Sequence, residues 1–387
     1  MSPPIPYTWG NNFFGQLGNN SGTITFNTPV KVVTSGVLSG KTLTTCSAGG
    51  FHSLVLDSAG KVYSWGGNFS GQLGDGTLTN RKVPVAVNTA GVLSGKVITA
   101  IAGGGTYTLA LDSNGQIYTW GYNEYGQLGN GTTTTSSVPV AVDTSGVLNG
   151  KTIVAIAAGY YTCLVLDSEG QLYTWGWGYY GELGNGTNDL INVYPVLVDM
   201  SGVLSGKVIA SIAADGFHCA VTDTAGKVYT WGWNDNGQLG DNSTTSSNVP
   251  VAVDDTGVLS GKTIPKVKLG VHHSIALDTV GQVYTWGKGT DGQLGNAASI
   301  DSDVPVTMGL GGKVIEQISG GSHHTLVMDS THKVYACGDG FSGQLGNGAN
   351  TDSNVLVAVN TSGGLSGKII VDSSAGYDFS LVLAKFP

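Results

Sequence analysis

Arginine is nearly missing from this sequence: Arg81 is the only one in 387 residues, and charged residues of every kind make up 11% of the chain. Binding to nucleic-acid phosphates rests on clustered lysine and arginine that release counterions, and phosphorylated ligands favour the forked guanidinium. With 17 cations against 26 anions and a formal net charge of −9, the chain is expected not to bind nucleic acid. Cysteine is scarce too. Cys46, Cys163, Cys219 and Cys337 form no Cys-x-x-Cys pair and match no zinc-ligand spacing. Four free, mostly buried thiols follow, with no metal and no other cofactor. No apolar run approaches the ~18 residues of a membrane span. The opening Met-Ser-Pro-Pro-Ile-Pro lacks the basic and apolar regions of a secretory signal. A protein without membrane contact is expected, with a cytoplasmic location favoured over a secreted one.

Glycine, by contrast, is abundant. It accounts for 62 residues, roughly twice the usual ~7% share, and a hydrophobic content of 40% is ample for a core. Many of these glycines recur at a fixed period. The tetrad Gly-Gln-Leu-Gly begins at Gly15, Gly71, Gly126, Gly181 (with Glu182 for Gln), Gly237, Gly292 and Gly343. Trp-Gly pairs precede it at Trp9, Trp65, Trp120, Trp175, Trp231 and Trp286, and the seventh copy carries Cys337-Gly338 instead. A period of about 55 residues across the whole chain is the mark of a repeat architecture, so residues 1–387 are expected to form one domain of seven repeats.

Each repeat reads as four short strands, A to D, rich in β-branched and aromatic residues and bounded by Gly, Asn and Asp. One copy runs Lys96–Ala102, Tyr107–Asp112, Gln116–Trp120 and Val138–Val142. Strand D carries proline at positions 29, 84, 139, 195, 250 and 305, with Leu356 breaking the series. Proline cannot donate to a ladder, which places D at the outer edge. Strand A ends in Gly and Ala, which suits a crowded axis. The chain opens with strand C material at Tyr7–Gly10 and finishes with strands A and B at Lys368–Val371 and Ser380–Leu383. Joined, the two ends complete one blade and remove the open sheet edges. The expected fold is therefore all-β: a closed seven-bladed β-propeller of four-stranded antiparallel blades.

The run Ala48-Gly49-Gly50-Phe51-His52-Ser53-Leu54 through Gly71-Gln72-Leu73-Gly74 resembles the repeat of the regulator of chromosome condensation family. The resemblance covers essentially the whole chain and implies the same seven-bladed propeller. It implies several functions, since members include guanine-nucleotide exchange factors, a plant ultraviolet photoreceptor and a β-lactamase inhibitor. The exchange factor pairs its propeller with a basic tail and an inserted wedge, and neither is seen here. The photoreceptor would require Gly-Trp-Arg-His-Thr runs; the nearest segments, Thr174–Trp177 and Thr230–Trp233, lack both Arg and His. Fold alone does not assign the function.

Strand alternation puts the A–B turns and C–D loops on one face, hereafter the first, and the B–C hairpins and D–A connectors on the second. The second face is monotonous. Its connectors repeat Ser-Gly-Val-Leu-Ser-Gly-Lys, its hairpins repeat glycine at 60, 115, 170, 226 and 281, and His332 stands in the sixth such place. The lysines 41, 96, 151, 207, 262, 313 and 368 start the A strands there, each expected near an Asp that ends strand B. On the first face, four residues vary between each Trp-Gly and its tetrad: Asn11–Phe14, Gly67–Ser70, Tyr122–Tyr125, Trp177–Tyr180, Trp233–Asn236, Lys288–Asp291 and Asp339–Ser342. Aromatic rings on polar loops are the usual anchors of protein interfaces, and they also suit stacking on sugars. The candidate partner-binding residues are Phe13, Phe14, Phe69, Tyr122, Tyr125, Trp177, Tyr179, Tyr180, Trp233 and Phe341, with most weight on the stretch from Tyr122 to Trp233. The bland alternative is that these rings wedge between blades.

No Ser-His-Asp set, phosphate loop or paired carboxylates rise above the repeat background, so no catalytic residue is expected. His52, His218, His273 and His324 recur at one position, and each is expected to bond a backbone carbonyl between blades. The expected function is a non-catalytic, monomeric propeller that binds another protein through its first face. Three alternatives stand beside it: exchange factor for a small GTPase, carbohydrate binding, and a repeat amplified or engineered without an evolved ligand.

Overall fold

Residues 2–387 are described by a computed structural model. Seven four-stranded antiparallel sheets make seven blades. Blade 1 comprises Leu43–Ala48, His52–Asp57, Val62–Gly66 and Arg81–Ala86. Blades 2 to 6 follow in chain order. Blade 7 joins Ile369–Ala375 and Phe379–Lys385 to Ile5–Asn11 and Thr25–Lys31, with Ile5 opposite Ala384 and Gly10 opposite Phe379. The ring thus closes through the two ends of the chain, as expected. Strand A is innermost in every blade and strand D outermost. The strands of blade 2 run Ile98–Gly103, Tyr107–Asp112, Ile117–Gly121 and Ser136–Ala141, within two residues of the sequence reading. Among the described residues the one helical element is a 3₁₀ turn, Gly91–Leu93, and no helix is long and apolar enough to cross a membrane.

The repeated motif is a latch between blades. The indole Nε1 of Trp120 donates to the Gln72 carbonyl of the preceding blade at 3.0 Å, and Thr108 Oγ1 donates to the same oxygen at 2.9 Å. Trp65 and Ser53 do the same to Gln16, and Trp286 and Ser274 to Gln238. All six of these tryptophans are completely buried, as are the seven tetrad leucines. The last glycine of the tetrad faces the indole: a Cβ on Gly74 would lie 2.7 Å from Trp120 Nε1, on a backbone at φ +67°. No other residue fits there.

Where Trp gives way to Cys337, the neighbouring blade compensates. The position that ends strand D is Val in six copies (32, 87, 142, 198, 253 and 359) and Met308 in the seventh. Met308 packs in one cluster with Cys337, and an unbranched thioether fills the space an indole would occupy.

The histidines need a correction. His52, His218, His273 and His324 are buried, but each Nε2 meets a hydroxyl of the next blade, not a carbonyl: Thr108, Ser274, Thr325 and Ser380, at 2.8–3.0 Å. That hydroxyl in turn donates a hydrogen bond to the Gln carbonyl. Burial lowers the pKa of His52, His218 and His324 from 6.5 to about 3, so they are neutral parts of the latch. All four cysteines are free and buried.

The second face is built as its sequence suggested, except that not every strand A lysine meets its Asp. Each hairpin is tied by the Asp that ends strand B. Asp57, for example, accepts from the Ala59 and Lys61 amides and from the Tyr63 hydroxyl. His332 takes φ +62°, the left-handed backbone its glycine counterparts adopt. Lys41, Lys96 and Lys207 lie 3.4–4.0 Å from Asp57, Asp112 and Asp223. Lys151 instead reaches Glu169 at 2.6 Å, and Lys368 covers the Phe386 ring at 4.3 Å.

Candidate interaction face

The C–D loop of each blade is shaped by its own tetrad. The Gln72 carboxamide oxygen accepts the Ser70 amide at 3.0 Å, and the Asn68 oxygen accepts the Leu73 amide at 3.0 Å. These bonds turn the loop so that the third residue after Trp-Gly points outward. In all seven blades that residue is exposed: Phe69, Glu124, Tyr179, Asp235, Thr290, Phe341 and Phe13 in blade order. The framework dictates the direction of the tip and leaves its chemistry free.

Glu182 departs from the tetrad and still holds its loop. One carboxyl oxygen accepts the Tyr180 amide at 2.9 Å, while the other is buried without a partner. Burial raises its pKa from 4.5 to about 8, so at neutral pH it is protonated and stands in for glutamine.

The ten candidate residues divide in two. Phe13, Phe69, Tyr179 and Phe341 are exposed by 68%, 46%, 53% and 81%. Phe14, Tyr122, Tyr125, Trp177, Tyr180 and Trp233 are half-buried and pack on each other and on the A–B turn aromatics. Tyr125 meets Trp177 at 4.4 Å and Tyr161 at 4.8 Å, and Tyr180 meets Trp233 at 5.7 Å. Phe14, Phe51 and Phe69 join them through Tyr377 and Tyr160 in one belt of rings. It ends at Trp233, His272 and the stacked His323. The sequence reading gave most weight to Tyr122–Trp233. Yet three of the four exposed candidate rings, Phe341, Phe13 and Phe69, stand on blades 6, 7 and 1, neighbours only once the ring has closed. Their shared third place in the loop was the available signal.

The central channel, of about 420 Å³, is lined by the A strands. Toward the first face it narrows beside Asp215 and Tyr377, and the Tyr160 and Tyr377 rings meet there at 5.1 Å. Asp215, Lys266, Lys268 and Asp372 bring charge to walls made mostly of small and aliphatic residues. Asp372 is engaged by Thr45 Oγ1 and the Cys46 amide. Burial raises Asp215 to about 7 and lowers Lys268. No group of three or more His, Cys, Asp or Glu among the described residues is arranged to hold a metal.

A family model described as the RCC1-like domain matches residues 6–382. The chain belongs to the RCC1-like domain family. It is 32% identical to the ultraviolet-B receptor UVR8 of Arabidopsis thaliana over 386 residues, 97% of this chain and 83% of that one. It is also 32% identical to the E3 ubiquitin-protein ligase HERC2 of Mus musculus, over 97% of this chain but only 8% of that protein. Among solved structures, yeast RCC1 (Prp20) bound to Kap60 superposes with a TM-score of 0.86 at 22% identity, covering 100% of this chain and 89% of that one. Human WBSCR16 superposes with a TM-score of 0.84 at 22% identity, covering 100% of both chains. These two likenesses show the seven-bladed fold. Protein-binding members occur in this RCC1-like family.

Proposed function

We propose that residues 1–387 act as one non-catalytic, monomeric domain that binds another protein through the first face of the propeller. The observation that carries this reading is the set of seven outward loop tips. A framework of buried bonds aims them all at solvent, and four hold large aromatic rings, of which Phe13, Phe69 and Tyr179 rest on the aromatic belt. Interface energy concentrates in such anchors. Rings exposed this far gain nothing for the fold, and an exposed apolar patch of this kind marks an interaction site. Prp20p of Saccharomyces cerevisiae, which shares the fold, has been characterised for its binding to Gsp1p and histones, so proteins are a precedented class of partner for this architecture.

Exchange activity on a small GTPase stands behind this reading, because only the family analogy favours it. Carbohydrate binding has the exposed rings in its favour. The test is affinity capture with the intact protein, with F13A/F69A/F341A, and with W177A/Y180A/W233A, run beside a glycan array. A protein retained by the intact ring and lost with either variant supports the proposal. Retention unchanged in both variants, or a glycan bound in place of any protein, overturns it.

A further inference from the structure

Charge is divided unequally between the two faces. The lysines that start the A strands crowd the second face, where Lys41, Lys96 and Lys207 meet strand B carboxylates and Lys151 meets Glu169. Among the described residues the first face has three cations, Arg81, Lys82 and Lys288, and two of them are spent: Arg81 lies 2.7 Å from Asp75 and Lys288 lies 2.9 Å from Asp291. Beyond those two partners the C–D loops expose Glu124, Asp189, Asp235, Asp301 and Asp352. Asp339 and Asp378 add half-buried carboxyls. Both are pushed up by burial, and then by a neighbouring carboxylate, Asp352 for the first and Asp339 for the second. Much of the chain's net charge of −9 therefore sits on the face that carries the aromatic belt, and a cation there is in short supply.

The tips are also arranged in order. Phe341, Phe13 and Phe69 make an apolar arc over three adjacent blades. Glu124, Tyr179 and Asp235 make an acidic and aromatic arc over the next three, with Tyr122, Trp177 and Trp233 beneath it. An ammonium or guanidinium is attracted to a carboxylate and to the face of an indole or phenol within ~6 Å, and this arc offers both.

We infer that the first face receives a cationic, partly apolar segment of a partner polypeptide, with lysine or arginine over Glu124–Tyr179–Asp235 and apolar side chains on Phe341–Phe13–Phe69. The inference rests on the protein-binding reading above and names the chemistry of the partner. A second copy of this chain does not meet the requirement, since two such faces bring like charges together. A neutral glycan would use the rings and leave the carboxylates idle.

Fluorescence anisotropy of a short labelled peptide of alternating arginine and leucine tests this. Two controls accompany it, one with glutamate for arginine and one with serine for leucine. Intrinsic emission gives a second readout, because Trp177 and Trp233 are half-buried at the face while the other six tryptophans are fully buried. The arginine–leucine peptide is expected to bind, to perturb that emission, and to weaken as salt rises. Both E124Q/D235N and F13A/F69A/F341A are expected to weaken it by about 10-fold. These side chains are exposed, so unchanged melting temperatures verify that the variants fold. If the glutamate peptide binds equally well, the inference is overturned. Weakening by the phenylalanine changes alone overturns the cationic part and leaves the face as a binding surface. Binding unchanged in both variants, or no binding at all, overturns the inference, and the capture experiment then decides the protein-binding reading on its own.

Discussion

At the hairpins of the second face, the turn position holds glycine in five copies and His332 in a sixth. At the loop tips of the first face, the corresponding seven places hold Phe, Glu, Tyr, Asp, Thr, Phe and Phe. Both sets come from the same repeat, and the difference lies in what each position touches. The five hairpin glycines have positive φ, and all but Gly170 also sit under the start of the next strand A: a Cβ on Gly60 would lie 2.6 Å from Val97 and 2.8 Å from the Ile98 amide. The tips touch solvent. Uniformity marks the places where a left-handed backbone narrows the choice to glycine and, once, histidine, and variety marks the places where the fold makes no demand.

Mutations sharpen that contrast. The largest loss is expected at the inter-blade latch. W120A removes a fully buried indole and its bond to Gln72, and should cost about 3–5 kcal/mol in denaturant unfolding. G74A should cost at least ~1 kcal/mol, with strain against that same indole adding to the price of a positive φ. If W120A unfolds at the wild-type denaturant concentration, the latch is not what joins the blades.

Glu182 should make stability depend on pH in the alkaline direction. Its pKa is about 8 in the fold against 4.5, so between those values the folded chain binds a proton that the unfolded chain has released. Stability therefore falls as pH rises across that window. E182Q should melt higher than wild type at pH 8, by an amount on the order of 2 kcal/mol, and the two should converge near pH 4.5. The histidines act in the opposite direction. With folded values near 3 against 6.5, the unfolded chain takes up protons first as pH drops, and stability is lost from about 6.5 downward. H324F, which copies Phe379 of the next blade, should lessen that acid loss in pH-dependent melting curves.

Smaller effects are expected at the surface. K41A breaks a partly exposed pair at 4.0 Å and should change stability by ~0–1 kcal/mol. F13A/F69A/F341A should alter it by about 0.5 kcal/mol or less, while abolishing capture of a partner. A large loss of stability in that triple variant would mean the tips belong to the fold and the contrast between the faces is wrong.

Much of the architecture was legible because it repeats. Trp-Gly, the tetrad and the strand D proline each recur for a local physical reason that one copy suffices to suggest and seven establish. The histidine partner was not legible, since Ser53 and its counterparts are next to the histidines in sequence but act across a blade boundary. Nor was the exchange of Val for Met308, because Met308 and the Cys337 it accommodates belong to different repeats. Among the candidate residues, type and face were readable, but exposure was not. Phe13 and Phe14 are adjacent, yet one is exposed and the other half-buried, because the Gln16 carboxamide holds the Phe14 amide inward at 3.0 Å.

By itself the sequence determined the number of blades, the order of strands from axis to rim and the closure of the ring, since these follow from a period, a proline and two half-blades. Tertiary structure alone decided which rings meet solvent and which residues become neighbours. Phe341 and Phe13 lie at opposite ends of the chain, and only closing the circle puts them on adjacent blades beside Phe69, with the unmatched carboxylates on the same face.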